Sequence, residues 1–142
     1  MIKRWFYKMN VVYDDSILGV NKSISGLVLK EDDRIAIQIL VQTLIAVMQD
    51  NLIRILIYGS KARGDYNSDS DTDIFVLVKK ISGEERQKIY ETVLDLELEY
   101  DPRISLVIYS EYEYRKNVEM RSFFIENIER EGLEVWRSQG LS

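Results

Sequence analysis

The chain has 142 residues, a formal net charge of −5, 46% apolar and 30% charged residues, and neither cysteine nor histidine. That is enough for one globular domain with a modest core, and it excludes disulfides, thiolate catalysis, cysteine zinc sites and any triad built on histidine. An acidic protein gains no general electrostatic help in binding nucleic acid, so a small molecule or a protein is the expected partner and nucleic acid is not.

Residues 1–30 show no sustained period. Val11-Val12-Tyr13 and Leu27-Val28-Leu29 suggest short strands around a looped stretch from Gly19 to Gly26, so this part reads as an N-terminal extension or hairpin. Lys3, Arg4 and Lys8 sit among Trp5, Phe6 and Tyr7, but no apolar core of targeting length follows before Asp14 and Asp15. No apolar run reaches the roughly 18 residues of a membrane span. Cytoplasmic residence is the resulting expectation.

Residues 31–142 read as one α/β domain. Glu31, Asp32 and Asp33 open a helix expected over 32–49, since acids favour a helix N-terminus. Ile37, Leu40, Leu44 and Met48 recur at helical spacing, and further apolar residues between them predict a buried helix. Leu52–Tyr58 reads as a short strand ended by Gly59. Residues 60–64 are expected to begin a short helix. Ile74–Val78 is a continuous apolar run, the pattern of a strand buried on both faces. Ser82 and Glu85 form a capping box for a helix carrying Ile89, Val93, Leu96 and Tyr100 on one face, stopped at Asp101 by Pro102. Ile104–Tyr109 is a third strand, and Ser110 with Glu113 a second capping box. A helical region follows to Arg130, with a break expected near Asn117 and Gly132 as its stop. Leu133–Trp136 is an edge strand. The predicted fold is a small mixed β-sheet backed by helices.

Residues 59–73 carry the chemistry: Gly-Ser-Lys-Ala-Arg-Gly-Asp-Tyr-Asn-Ser-Asp-Ser-Asp-Thr-Asp. Asp71 and Asp73 open the second strand. Residues two apart on a strand point the same way, which places these carboxylates about 6 to 7 Å apart on one side. Such a pair suits a hard divalent cation, Mg²⁺ or Mn²⁺, which takes oxygen ligands. The Gly59-Ser60 turn offers backbone N–H groups and a hydroxyl to phosphate. Arg63 has two readings of equal weight, a phosphate contact or an ion pair with Asp65 or Asp69, whereas Lys61 reads as solvent-facing.

Rival motifs fail on residue identity. Asp69, Asp71 and Asp73 fit the first, third and fifth positions of an EF-hand loop, but Ile74 and Lys80 stand where glycine and glutamate are required. Gly59 and Gly64 have P-loop spacing, but Asp65 and Tyr66 replace the lysine and hydroxyl residue. A plain solvated turn accounts for Asp, Ser, Asn and Gly, though not for a Gly-Ser, ten residues and an Asp-x-Asp with a strand on each side.

Gly59, Ser60, Ala62, Arg63, Gly64, Ser70, Asp71 and Asp73 resemble the signature of the minimal nucleotidyltransferases, a branch of the DNA polymerase beta superfamily. A weaker likeness runs over about residues 31 to 137 and includes the tail from Phe123 to Gly132. The resemblance implies the polymerase-beta-like core. Asp71 and Asp73 would be the catalytic and metal-binding residues, with Gly59, Ser60 and Arg63 at the triphosphate of ATP. Family members commonly carry a third carboxylate on the following strand; here alignment of the apolar residues puts Ser105 in its place. Many small stand-alone members act as antitoxins that modify a tyrosine of a partner HEPN-type ribonuclease toxin, so the resemblance implies a metal-dependent nucleotidyltransferase that moves AMP from ATP to a protein acceptor. A non-catalytic antitoxin that neutralises its partner by contact, and a small-molecule adenylyltransferase, are the alternatives. The small-molecule enzymes usually carry an extra helical domain, so the acceptor pocket is expected from another chain.

Overall fold

A computed structural model describes residues 29–64, 70–100 and 102–139. The expected extension falls almost wholly outside these; Leu29 packs on the core and Lys30 holds the N-cap position of the first helix without a side-chain cap. In chain order the elements are α1 (Glu31–Met48), a 3₁₀ turn (Gln49–Asn51), β1 (Leu52–Tyr58), α2 (Ser60–Arg63), β2 (Thr72–Val78), α3 (Gly83–Tyr100), β3 (Ile104–Ser110), α4 (Glu111–Glu119), α5 (Phe123–Glu131) and β4 (Leu133–Arg137). Among the described residues, no helix is long and apolar enough to cross a membrane.

The four strands form one mixed sheet in the order β3-β2-β1-β4. β1 runs antiparallel to both β2 and β4, while β2 and β3 are parallel and joined through α3. Parallel neighbours require such a crossover, which explains the eighteen-residue helix between them.

Strand alternation divides the core into two layers. On one face Ile55, Ile57, Ile74, Val76, Val78 and Ile108 pack under α1 and α3, against Ile37, Leu40, Leu44, Ile89, Val93 and Leu96. On the other, Leu56, Phe75 and Leu77 are covered by Ile125 and Ile128 of α5, with Tyr58, Val107, Tyr109, Tyr114 and Phe124 around them. Ile74–Val78 is therefore buried on both sides, as its unbroken apolar run predicts.

The helix ends follow local chemistry. Ser82 and Glu85 exchange capping hydrogen bonds at 2.9 and 3.1 Å, and Ser110 and Glu113 do the same at 3.0 and 3.2 Å. The expected break near Asn117 lies slightly later. Asn117 stays helical and donates its amide to the Glu113 carbonyl, while Arg121 takes a positive φ of 53° and Ser122 caps α5. Gly132 ends α5, though not through the left-handed conformation usual for such a glycine: its φ is −65°. A Cβ there would run into the Ile128 carbonyl oxygen and approach a Leu56 methyl at 2.8 Å. The glycine allows the chain to turn from α5 into β4 directly over β1.

Candidate active site

Tyr58 ends β1 and Gly59 turns the chain out of the sheet with φ 74° and ψ −152°, a conformation that L side chains rarely adopt. A Cβ at residue 59 would also collide with Oδ2 of Asp73. α2 follows as a single turn, closed by the Arg63 N–H on the Gly59 carbonyl at 3.1 Å and the Gly64 N–H on the Ser60 carbonyl at 2.9 Å. Ser60 and Ala62 are half-buried and Arg63 is exposed. Lys61 corrects the sequence expectation. It is only 3% exposed, not solvent-facing. The one-turn helix is pressed between the end of β1 and the start of β2, so its second residue is directed into the protein. Neither composition nor periodicity reveals that over four residues.

β2 starts at Thr72, which is buried and donates its N–H to the Arg103 carbonyl at 2.6 Å. Asp71 thus immediately precedes the strand and is exposed, while Asp73 lies on it and is half-buried. Their charges interact: burial first, and then the Asp71 carboxylate, push the Asp73 carboxyl above its ordinary range, and the Arg63 guanidinium pulls it back in part. Register places Asp73 between Tyr58 of β1 and Ser105 of β3. Directly paired residues share a face, so a phenol and a hydroxyl flank this carboxylate. Ser105 therefore occupies the β3 position beside the Asp-x-Asp motif where the sequence alignment places it.

Two neighbours of the candidate residues were not legible in sequence. Tyr58 is half-buried, and its phenol is pushed up to about 12 by burial and by the neighbouring Asp73 and Tyr109 charges. Its position one residue before Gly59 was the available signal. Its ring meets Phe124 edge-on at 5.6 Å, and Phe124 in turn meets Phe75 at 6.1 Å and Tyr109 at 5.7 Å. This aromatic layer lies on the sheet face that carries Asp73. The second is Glu131, the last residue of α5, whose Oε2 accepts from Arg63 Nη1 at 3.2 Å. No sequence pattern connects residues 68 positions apart. Asp65 and Asp69, the ion-pair partners of one of the two readings of Arg63, lie outside the described residues.

The donor set suits a hard cation. Asp71 and Asp73 would supply carboxylate oxygens and Ser105 a neutral one, and among the described residues no group of three or more His, Cys, Asp or Glu side chains comes together. Mg²⁺ characteristically binds through one or two carboxylates and completes its shell with water and substrate phosphates. The carboxylate of Asp73 lies directly over the backbone of Gly59, which brings the metal-binding side and the phosphate-binding side of such a site together.

The sequence pattern of the polymerase beta nucleotidyltransferase family matches residues 42–133. The chain belongs to this family. A protein of Methanocaldococcus jannaschii, named as a candidate protein adenylyltransferase, is 38% identical over 90 residues, covering 63% of this chain and 84% of that protein. Solved structures with similar backbones include a toxin–antitoxin pair with AMP-PNP (24% identity, TM-score 0.44, 68% of this chain and 72% of that one). A nucleotidyltransferase-like protein of Sulfolobus solfataricus aligns over 92% of this chain and 96% of its own, with 18% identity and a TM-score of 0.46. A complex of a tri-AMPylated HEPN toxin of Shewanella oneidensis with MNT antitoxin gives 20% identity and a TM-score of 0.41, over 72% and 73% of the two chains. Family membership rests on the first two findings. In this nucleotidyltransferase, Gly59, Ser60, Asp71 and Asp73 all stand in or beside the turn between β1 and β2.

Proposed function

We propose that the chain transfers AMP from ATP to a hydroxyl of a partner protein. The observation that carries this reading is the apposition of the Gly59 backbone and the Asp73 carboxylate within a nucleotidyltransferase domain. The 38% identical relative, named as a candidate protein adenylyltransferase, supports a protein acceptor. A helical HEPN-type ribonuclease is the acceptor that the sequence resemblance implies.

In the reaction the acceptor hydroxyl oxygen bonds to the α-phosphorus, the bond from that phosphorus to the bridging oxygen breaks, and pyrophosphate leaves. The hydroxyl proton passes to solvent or to a carboxylate. Asp71 and Asp73 would hold Mg²⁺ or Mn²⁺, which neutralises charge on phosphate oxygens when bound. Gly59 lets the triphosphate approach the backbone, and Ser60 offers it a hydroxyl and an amide. Arg63 supplies a guanidinium that can grip phosphate oxygens in pairs. Ser105 is a poor base, so proton removal falls to Asp73 or water and turnover is expected to be slow.

A second reading, neutralisation of the partner by contact without catalysis, is favoured by one observation: the β3 neighbour of Asp73 is a serine. Label transfer from ATP to a co-expressed HEPN-type partner separates the two. Transfer that vanishes in an Asp71→Asn, Asp73→Asn double variant supports the enzyme. Absence of transfer by the wild type, with neutralisation intact in the double variant, supports the binding module.

A further inference from the structure

We infer that Glu131 occupies Arg63 in the nucleotide-free protein, and that a triphosphate must take Arg63 from it. This deepens the nucleotide-binding reading above and rests on it.

The placement of Glu131 is built into the fold. It is the last residue of α5, and Gly132 behind it fits so closely on Leu56 and the Ile128 carbonyl that no side chain is tolerated there. β4 then pairs Leu133 with Ile57, one residue before Tyr58. The carboxylate is thereby delivered to the end of β1 where the Gly59-Ser60 turn begins.

It is also an odd place for an acid. A helix C-terminus carries partial negative charge and disfavours a carboxylate. Two cations compensate: Arg63 Nη1 at 3.2 Å on Oε2, and Arg130 Nη2 at 3.5 Å on Oε1. Because Arg130 keeps one oxygen, Glu131 retains a cationic neighbour when Arg63 departs.

Arg63 is suited to exchange partners. Its side chain is 43% exposed, and Glu131 engages it through a single terminal nitrogen. A guanidinium has five donors in a planar fork that matches phosphate, whereas Glu131 meets it at one terminal nitrogen. Its charge already reaches Asp73, placing it at the edge of the proposed triphosphate site. A pair this exposed is weak, and a polyanionic ligand can displace one carboxylate from it. Glu131 then acts as a built-in competitor that lowers apparent nucleotide affinity.

The test is calorimetric titration of a non-hydrolysable ATP analogue with Mg²⁺ into the full chain and three variants: Glu131→Gln, Arg63→Ala, and the two combined. Glu131→Gln should bind the analogue about twofold to fivefold more tightly than wild type, the range expected for release of an exposed ion pair. Arg63→Ala should bind more weakly, and in its background Glu131→Gln should have no effect. That non-additivity assigns the effect to Arg63 rather than to removal of one negative charge near a triphosphate. A purely structural role for Glu131 would change thermal stability and leave affinity unchanged. Unchanged or weaker binding by Glu131→Gln, or tightening that persists without Arg63, overturns the inference alone. No binding by any of the four proteins overturns the nucleotide reading together with it.

Discussion

The carboxylate of Asp73 fills the space that a side chain on Gly59 would need. This contact joins the end of β1 to the start of β2 and makes one locus of two short motifs. Replacing Gly59 by valine introduces a branched Cβ against Asp73 and forces it into positive φ, which costs on the order of 1–2 kcal/mol for an L residue. We expect a lower melting temperature and at least about a hundredfold loss of transfer, equivalent to roughly 3 kcal/mol at the transition state. Wild-type ATP affinity by calorimetry together with wild-type turnover would show that the turn is not the phosphate cradle.

Asp73→Asn keeps the shape of the side chain and removes a charge that burial and Asp71 both disfavour. Stability without metal should hold or rise slightly, while transfer should fall by at least about a hundredfold. Thermal scans with and without Mg²⁺ check the assignment from another side. Added Mg²⁺ and nucleotide should raise the melting temperature of the wild type and fail to raise that of the variant. Equal stabilisation of both would remove Asp73 from the metal site.

Ser105 is the register partner of Asp73. A Ser105→Asp substitution places a third carboxylate beside the pair. With Mg²⁺ it should speed transfer by adding a ligand and a base. Without a divalent cation it should lower the melting temperature through like-charge repulsion. An unchanged rate with Mg²⁺ would mean that the β3 position plays no part in the chemistry.

Acid stability should depend on the ion-pair group around Arg54, whose Nη1 meets Glu129 at 2.7 Å and whose Nε meets Glu134 at 2.9 Å. Burial alone would raise the Glu129 carboxyl, but hydrogen bonds from Arg54 and Tyr114 outweigh it and hold the group below its ordinary 4.5. The Arg137 hydrogen bond, against partial burial and with help from Arg54, does the same for Glu134. A depressed acid pKa stabilises the fold above the unfolded value and loses that contribution as pH falls through the folded one. Stability should therefore be level near neutrality and decline below about pH 4.5. Arg54→Ala should cost about 1–2 kcal/mol at pH 7, between the values for exposed and buried pairs, and should flatten the acid limb measured by urea denaturation at several pH values.

Much of the fold was legible because its signals are local. β1 was readable at both ends, since an apolar run stops at Gly59, and the two capping boxes fixed the starts of α3 and α4. Gly59, Asp71 and Asp73 stood out as candidates because of the fixed spacing between Gly-Ser and Asp-x-Asp; the structure lays Asp73 against Gly59 and leaves Asp71 one residue ahead of the strand. What was not legible depends on tertiary contact. The burial of Lys61 follows from how a single helical turn is wedged between two strands. Glu131 reaches Arg63 only because α5 crosses the sheet and Gly132 lets it settle there. Gly132 was recognised as a stop but for a different reason, since close approach to the Ile128 carbonyl oxygen and Leu56, not backbone handedness, requires glycine.

The most direct test of nucleotidyl transfer uses two ATP samples, one labelled at the α-phosphate and one at the γ-phosphate, with Mg²⁺ and a co-expressed HEPN-type partner. Wild type and the Asp71→Asn, Asp73→Asn double variant are run in parallel, and protein-bound label is measured. Nucleotidyl transfer requires that the wild type attach label from the α-sample only, and that the double variant attach none. Label from the γ-sample, or equal α-labelling by both proteins, would contradict it.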